Sequence, residues 1–413
     1  MVDAGRRSKR IVGIARHGRL QRSNPYAIAL KLVAAVLTVA VVSTSAVAAV
    51  AVWSFSKTVD DNAIDITGGD PAAPVPQLES YANGFNILMV GVDNDAVQSA
   101  AYGERQGTRN DVNILVHVSA DHSNAVVVSI PRDLIVPHPT CTDAESGAEF
   151  SAMAARPVNE AMSRGGLPCV AKTVSELTGL TIPYAGLISF NGVVQMSDAV
   201  GGVPICLTAA IDDDSAGLHL PAGSSIVAGD TALAFLRSRH GVGDQSDLAR
   251  ISSQQIYMAS LMRTVQGNGT LTNIPTLINL ANTAASKIKL STSLADIDTM
   301  VSMALALKDI DLDRMLFVQY PGTTGDANYP GKVVPTEAVA AEMFTKIAAD
   351  QPFTLPGTPP TPEPAADAPA PVATSTLPPG ETAVPAPAPT VEALNGLTGQ
   401  TAQDESCAEA NTG

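Results

Sequence analysis

The sequence predicts an α/β fold: a mixed central sheet flanked by helices, behind one N-terminal transmembrane helix and ahead of a disordered Pro-rich C-terminal tail. Three observations predict it. Short β-rich runs alternate with helical patterns between residues 83 and 352, as in a sheet covered by helices. Two of those runs stand four residues apart, which is hairpin spacing. Composition also changes sharply near residues 54 and 353, which removes both ends from the globular count.

The N-terminal end is basic and then apolar. Residues 1–30 form a basic segment whose first 22 positions hold Arg6, Arg7, Lys9, Arg10, Arg16, Arg19 and Arg22 against Asp3 alone. Those seven cations and one acid make +6, so a chain of net charge −15 carries −21 elsewhere. Residues 32–53 read LVAAVLTVAVVSTSAVAAVAVW without a charge, long enough to cross a hydrocarbon core of about 30 Å. Trp53 marks the far interface, and the cations put the N-terminus in the cytoplasm and the bulk of the chain outside. A cleaved signal peptide is the competing reading, and the length of the apolar run favours a retained anchor. The basic segment does not read as a nucleic-acid arm, because no DNA-reading helix follows it. Residues 54–82, with Gly68, Gly69, Pro71, Pro74 and Pro76, read as a stalk.

The folded domain is expected over 83–352. Strands are expected at Asn86–Asp93, Val112–Ala120 and Ala125–Ile130, the last two joined by Asp121–Asn124. Helical periodicity follows at 170–178, 191–199 and 247–265, with strands near 184–190, 203–207 and 315–320. Ser246 or Asp247 signals the start of the third helix, whose apolar stripe is Leu248, Ile251, Met258 and Leu261. Residues 353–390 form an extended linker, with twelve prolines between Pro356 and Pro389. Residues 391–413 are a short tail, too small to be a domain.

Four cysteines, Cys141, Cys169, Cys206 and Cys407, all fall on the exported side. An even count in an oxidising compartment predicts two disulfides, with three pairings open. The lack of CxxC spacing speaks against zinc. A paired Cys407 would bring the tail back onto the domain.

Charged residues gather at strand ends. Asp93 closes the first strand, Arg109 and Asp111 open the second, and Arg132 and Asp133 follow the third. Neighbouring strand ends converge on one rim of a sheet, where α/β folds put ligands. Carboxylates and arginines there suit a hard cation on Asp93 and Asp111, Mg2+ or Mn2+, and an oxyanion on Arg109 and Arg132. Taken singly, each is also explained as a surface ion pair. A second cluster packs Arg237, Arg239 and Arg250 into fourteen positions. Asp247, Arg250 and Gln254 lie at i, i+3 and i+7, on one helix face. That face is able to grip a phosphate by charge-assisted bonds, unless it is simply solvated.

The runs RNDVNILVHV, SIPRDLIV, VNEAMSRGG, VAKTVSELTGLTI, SFNGVVQMSDAVGGVPI and LHLPAGSSIVAGDTALAFLRSRHGVGDQSDLARISSQQ resemble the LytR–CpsA–Psr family of cell-wall ligases. The likeness covers residues 84–265 in unbroken order; the four cysteines and Pro-rich tail are similar to actinobacterial members. The resemblance implies a phosphotransferase that moves a wall glycopolymer from a polyprenyl-pyrophosphate carrier to peptidoglycan through a phosphodiester, the polymer being arabinogalactan or teichoic-acid-like. It implies metal binding by Asp93 and Asp111, pyrophosphate binding by Arg109, Arg132, Lys172, Arg237, Arg239, Arg250 and Gln254, and catalytic roles for Asp111, Arg132, Asp133, Asp247 and Arg250. The sequence departs from the family at Asn110, where Ser or Thr is usual, at Val112 in place of Thr, and at Arg156-Pro157 in place of Lys-Ile. The same residues also suit a pyrophosphate hydrolase, and the third class is a regulator or wall-binding module without chemistry. A domain outside the membrane does not reach DNA.

Overall fold

Period-2 alternation organises the central sheet. In β1 (Phe85–Val92) Leu88, Val90 and Val92 face one apolar cluster while Phe85 and Ile87 face another. In β2 (Asn110–Val118) Leu115 faces the first, and Ile114, Val116 and Val118 the second. In β3 (Ala125–Ile130) the split is Val126, Val128 and Ile130 against Ala125 and Val127. Both faces are therefore covered, as apolar residues at odd and even positions require.

The computed structural model describes residues 84–93, 109–143, 146–267, 286–295, 310–356 and 391–411, with scattered positions elsewhere, among them 29–36 and 63–66. The chain divides into two units, Met1–Ser54 and Phe55–Gly413. In the first, residues 29–36 are helical and exposed. Among the described residues no helix is long and apolar enough to cross a membrane. Much of the expected span 32–53, nearly all of the basic segment and the Pro-rich stretch 357–390 lie outside the described residues.

In the second unit the sheet is completed by β4 (Tyr184–Ser189), β5 (Ile288–Leu290), β6 (Met315–Gln319) and β7 (Gly399–Thr401). The order is β5-β4-β1-β2-β3-β6-β7. Strands β4 and β1 are parallel, as are β3 and β6, and the remaining pairs are antiparallel. The mixed sheet is thus as expected. Strands β1 and β2 start one and two residues earlier than the sequence reading, as element ends commonly do, while those expected at 125, 184, 203 and 315 start where predicted.

Helix α1 (Met162–Thr178) begins earlier than the periodicity at 170–178 indicated, and Gly165 and Gly166 break its helical backbone before Pro168. Helix α2 (Phe190–Val200) is capped by the Ser189 hydroxyl, which accepts from the Gly192 amide at 3.3 Å. Helix α3 (Gly229–Arg237) was not expected, because its five-residue apolar run Ala232–Leu236 does not separate helix from strand. Helix α5 (Glu337–Ala348) also went unassigned. Helix α4 (Asp247–Gly267) starts where predicted, with the Ser246 hydroxyl accepting from the Ala249 amide at 3.1 Å. Leu248, Met258 and Leu261 pack against three different apolar clusters, so α4 is the central strut of the domain.

Three boundaries move. Ile64, in the expected stalk, exchanges backbone bonds with Leu290 and Thr292 and packs on the core. Phe353 and Leu355, expected in the linker, are buried core residues. The tail 391–411 is part of the domain: β7 closes the sheet edge beside β6, and Leu394 and Leu397 are buried. Gly399 permits this, since a Cβ there would lie 2.0 Å from the Phe317 carbonyl oxygen. The disulfides are Cys141–Cys169 and Cys206–Cys407, so the tail is covalently attached. The return that a paired Cys407 implied is thus seen, while composition gave no sign of the strand it adds, because a linker separates that strand from its partner.

Candidate active site

The strand register brings the first charged cluster to one rim. Val92 pairs with Asn110 and Asn113 with Ile130, so the end of β1, the start of β2 and the end of β3 coincide. Gly91 pairs with Val112 while Val92 pairs with Asn110, which leaves Asp111 as the extra residue of a β-bulge. A bulge re-aims a side chain out of the ladder. Asp93 follows Val92 directly and is buried. Asn110, fully buried, holds the start of β2. Its amide donates to Val158 O at 3.2 Å and to Asn113 Oδ1 at 2.6 Å, and its Oδ1 accepts from the Met162 amide at 3.3 Å. The VNE segment in turn fixes the Arg132 turn, where the Asn159 amide donates to Arg132 O at 3.0 Å.

Helix α4 delivers the second cluster to the first. Arg250 Nη2 donates to the backbone oxygen of Asp111 at 3.2 Å and is ion-paired with Asp247, 2.7 Å from its Oδ1. Arg239 Nη2 reaches the same Asp247 oxygen at 2.7 Å, and Arg132 Nε lies 3.6 Å from it. Arg132 also donates through Nη1 to Asp111 and lies 3.5 Å from Asp133 through Nε. Lys332 Nζ donates to Asp133 at 2.6 Å. One carboxylate, Asp247, therefore gathers three guanidinium groups from α4, the α3–α4 loop and the turn after β3. The solvated-face reading of α4 is overturned, since Arg250 and Gln254 are each 6% exposed.

Burial and neighbouring charge pull these groups in opposite directions. Burial lowers the Arg250 pKa to about 10, with Asp247 opposing and Arg239 and Arg132 adding to the fall; the group stays cationic at neutral pH. Burial also acts to lower Arg132, but Asp111, then Asp247 and Asp133, outweigh it and the net shift is upward. Partly buried, prepositioned cationic guanidiniums are suited to a multiply charged oxyanion.

A LytR_cpsA_psr family model matches residues 50–348. The chain belongs to this family. It is 28% identical over 290 residues to the cell wall biosynthesis protein LcpA of Corynebacterium glutamicum, covering 64% of this chain and 55% of that protein. It is 22% identical to the polyisoprenyl-teichoic acid–peptidoglycan teichoic acid transferase TagT of Bacillus subtilis, covering 70% and 86%. The crystal structure of protein gbs0355 from Streptococcus agalactiae superposes with a TM-score of 0.52 at 20% identity, covering 65% of this chain and 88% of that one, a likeness of fold. The chain spans about half the length of the corynebacterial relatives it matches.

The site residues expected from the sequence divide. Asp111, Arg132, Asp133, Arg239, Asp247 and Arg250 come together. Arg109 is exposed at the same rim. Arg237 stacks on Phe190, its Cζ 4.7 Å from the ring centroid. Gln254 is buried and donates to Leu236 O at 2.9 Å, which ties α4 to the end of α3; that bond is a structural role where an anion contact was expected. Lys172 donates to Thr140 O at 2.9 Å, beside the Cys141–Cys169 bridge and apart from the contacts of the arginine cluster. Lys332 went unseen: it lies in an irregular Pro-Gly-Lys turn, and the Val333–Asp133 backbone bond of 3.1 Å, beside the Leu134–Val333 bridge, brings it to the site. Of the expected metal pair, Asp93 is a buried carboxylate one position past the residue that pairs with Asn110, and Asp111, the bulge residue, is ion-paired with Arg132. Among the described residues, Asp212, Asp214 and His219 also lie close enough together for a metal, but all three are exposed and none belongs to the arginine site.

Proposed function

We propose that this chain is a phosphotransferase that joins a polyprenyl-pyrophosphate-linked cell-wall glycopolymer to peptidoglycan. The observation that carries this reading is the convergence of Arg132, Arg239 and Arg250 on Asp247 beside Asp111. The name of TagT, a transferase of polyisoprenyl-linked teichoic acid, supports the same class of donor and acceptor. The polymer is of the arabinogalactan or teichoic-acid kind.

In the reaction, an acceptor hydroxyl of peptidoglycan attacks the phosphorus next to the glycan, and the bond from that phosphorus to the bridging oxygen breaks. Polyprenyl phosphate leaves with the bridging oxygen, and the acceptor's proton passes to a carboxylate of the cluster, Asp133 or Asp247. Arg132, Arg239 and Arg250 hold the pyrophosphate oxygens and take up the charge that develops on the leaving group, which is the main source of rate in phosphoryl transfer. Asp247 keeps the three guanidinium groups in register. Asp93 and Asp111 would hold Mg2+ or Mn2+, which supplies charge neutralisation when bound.

The donor is a membrane lipid, and the basic residues before an uncharged run of 22 support a single-pass anchor with the domain outside. Two disulfides are consistent with an oxidising compartment. Such an anchor raises the local concentration of a membrane-bound donor.

The test incubates the full chain in lipid vesicles with a polyprenyl-pyrophosphate-linked oligosaccharide, Mg2+ and peptidoglycan fragments. Glycan joined to peptidoglycan, lost in Arg250→Ala, supports the transferase. Glycan phosphate released to water alone makes the chain a hydrolase. No turnover of authentic donor overturns both.

A further inference from the structure

We propose that Asp213 and the C-terminal segment Cys407–Asn411 clamp the loop between α3 and α4 from two sides and so position Arg239 against Asp247. The idea rests on the phosphotransferase reading for its ligand only; the clamp itself is a matter of named contacts.

Arg239 occupies a loop that has no regular secondary structure to hold it, between the end of α3 at Arg237 and the start of α4 at Asp247. Its two chain neighbours are held by different parts of the molecule. On one side, the Ser238 hydroxyl donates to Asp213 Oδ2 at 2.7 Å. On the other, His240 O accepts from the side-chain amide of Asn411 at 3.1 Å. A residue fixed at both flanks has its backbone direction set, so its guanidinium starts from one origin.

Asp213 is built for this task. It is 2% exposed, and its two oxygens accept from the Ser215 amide and hydroxyl, the Ala216 amide, the Ser238 hydroxyl and the Gly241 amide. Burial alone would raise its pKa, but these bonds win and hold it near 2. His240 Nδ1 lies 4.0 Å from Asp213 Oδ1, but the hydrogen bonds themselves come from backbone amides and hydroxyls, so the carboxylate mainly shapes backbone. Gly241 is part of the design, because a Cβ there would come within 2.4 Å of Ile211.

The tail supplies the opposite jaw. Cys407 is bonded to Cys206, and Ala408 exchanges backbone bonds with Cys206 and Thr208 at 2.8 and 3.0 Å. From that anchor the segment runs across the loop. Glu409 O accepts from the Gly243 amide at 3.0 Å, and the Asn411 amide donates to Gly241 O at 2.9 Å. The chain's last described residues thus reach the site's arginine loop from a point more than 150 positions away in sequence. The segment is part of the anion-binding machinery, although it touches none of the proposed catalytic groups.

The experiment is a double-mutant cycle on the full chain, comparing Arg239→Ala, a stop after Cys407 that keeps the disulfide, and the two combined. Calorimetric affinity for farnesyl pyrophosphate is the readout, with melting temperature followed in each variant. The shortened chain is expected to bind about tenfold more weakly, close to the loss in Arg239→Ala, and the combination is expected to be no worse than Arg239→Ala alone. In the transfer assay that loss falls on donor KM more than on kcat. Losses that multiply, or a shortened chain that binds as the parent does, overturn the clamp. Asn411→Ala and Asp213→Asn, which leave the backbone whole, give the same comparison if the shortened chain does not fold. Hydrogen exchange keeps the two ideas apart: a parent chain that fails to bind the probe sinks the pyrophosphate reading. Faster exchange of the 239–247 amides in the shortened chain, with β1–β3 unchanged, still reports the clamp, and unchanged exchange there sinks it.

Discussion

Replacing Asp247 by Asn removes the charge on which three arginines converge, and the size of the effect follows from the contacts. At an effective dielectric of about 20, each guanidinium nitrogen 2.7 Å from the carboxylate oxygen contributes on the order of 6 kcal/mol of gross attraction. Most of that is offset by desolvation, and breaking a buried pair from one side costs about 3–5 kcal/mol. The Arg250–Asp247 pair is in that class, with side chains 8% and 9% exposed, whereas Arg239 is 31% exposed and adds little. Asn keeps one oxygen able to accept a single bond, so the low end, about 3 kcal/mol, is expected. For a domain of this size that is roughly 5 °C of melting temperature. The cluster of Arg132, Arg239, Arg250 and Lys332 against Asp111, Asp133 and Asp247 sums to 4 − 3 = +1, and the substitution makes it +2. Inorganic pyrophosphate is therefore expected to raise the melting temperature of Asp247→Asn more than that of the parent, while glycan transfer is lost. Scanning calorimetry with and without pyrophosphate checks both. An unchanged melting temperature together with an unchanged response to pyrophosphate would refute the role of Asp247 as the pin of the site.

Other outcomes follow from the same contacts. Cys206→Ala with Cys407→Ala should cost more than Cys141→Ala with Cys169→Ala in chemical denaturation, because sequence separations of 201 and 28 correspond to about 5 and about 3.6 kcal/mol of loop-closure entropy; equal losses would count against this. Asp213, at about 2 when folded against an ordinary 3.8, has a depressed pKa, so its contribution of about 2 kcal/mol is present above pH 4 and lost as the pH falls toward 2. Acid unfolding of Asp213→Asn should lack that part of the pH slope. Lys172→Ala should leave farnesyl pyrophosphate affinity within about twofold, since its ammonium serves the Thr140 carbonyl; a tenfold loss would return it to the site.

Much of the site was legible in the sequence because strand ends announce themselves. Asp93 and Arg132 sit where β-rich runs stop and Asp111 where one starts, and antiparallel pairing of β1, β2 and β3 carries those strand ends to one rim. The start of α4 was equally plain, since Ser246 caps it and the apolar period follows. The bulge at Asp111 was not legible, because an extra residue in one strand has no compositional mark. Gln254 and Lys172 show the limit of reading charge or polarity as function: helical spacing gives a face, and only the packing of α3 and α1 decides what that face meets. Lys332, Asp213 and Asn411 reach the site through irregular backbone and a return across the Pro-rich stretch, and no periodicity announces such contacts. The return of the tail through Cys407 was legible, but the strand it adds was not, since β7 has three residues and its partner lies some 80 positions earlier.

The most direct test of the central claim follows the phosphorus. A donor labelled with 32P at the phosphate next to the glycan is incubated with the membrane-anchored chain and peptidoglycan. The phosphotransferase account predicts label in peptidoglycan, in a linkage resistant to phosphomonoesterase, with unlabelled polyprenyl phosphate released. Label recovered only as soluble glycan phosphate, or left on the lipid, would contradict it.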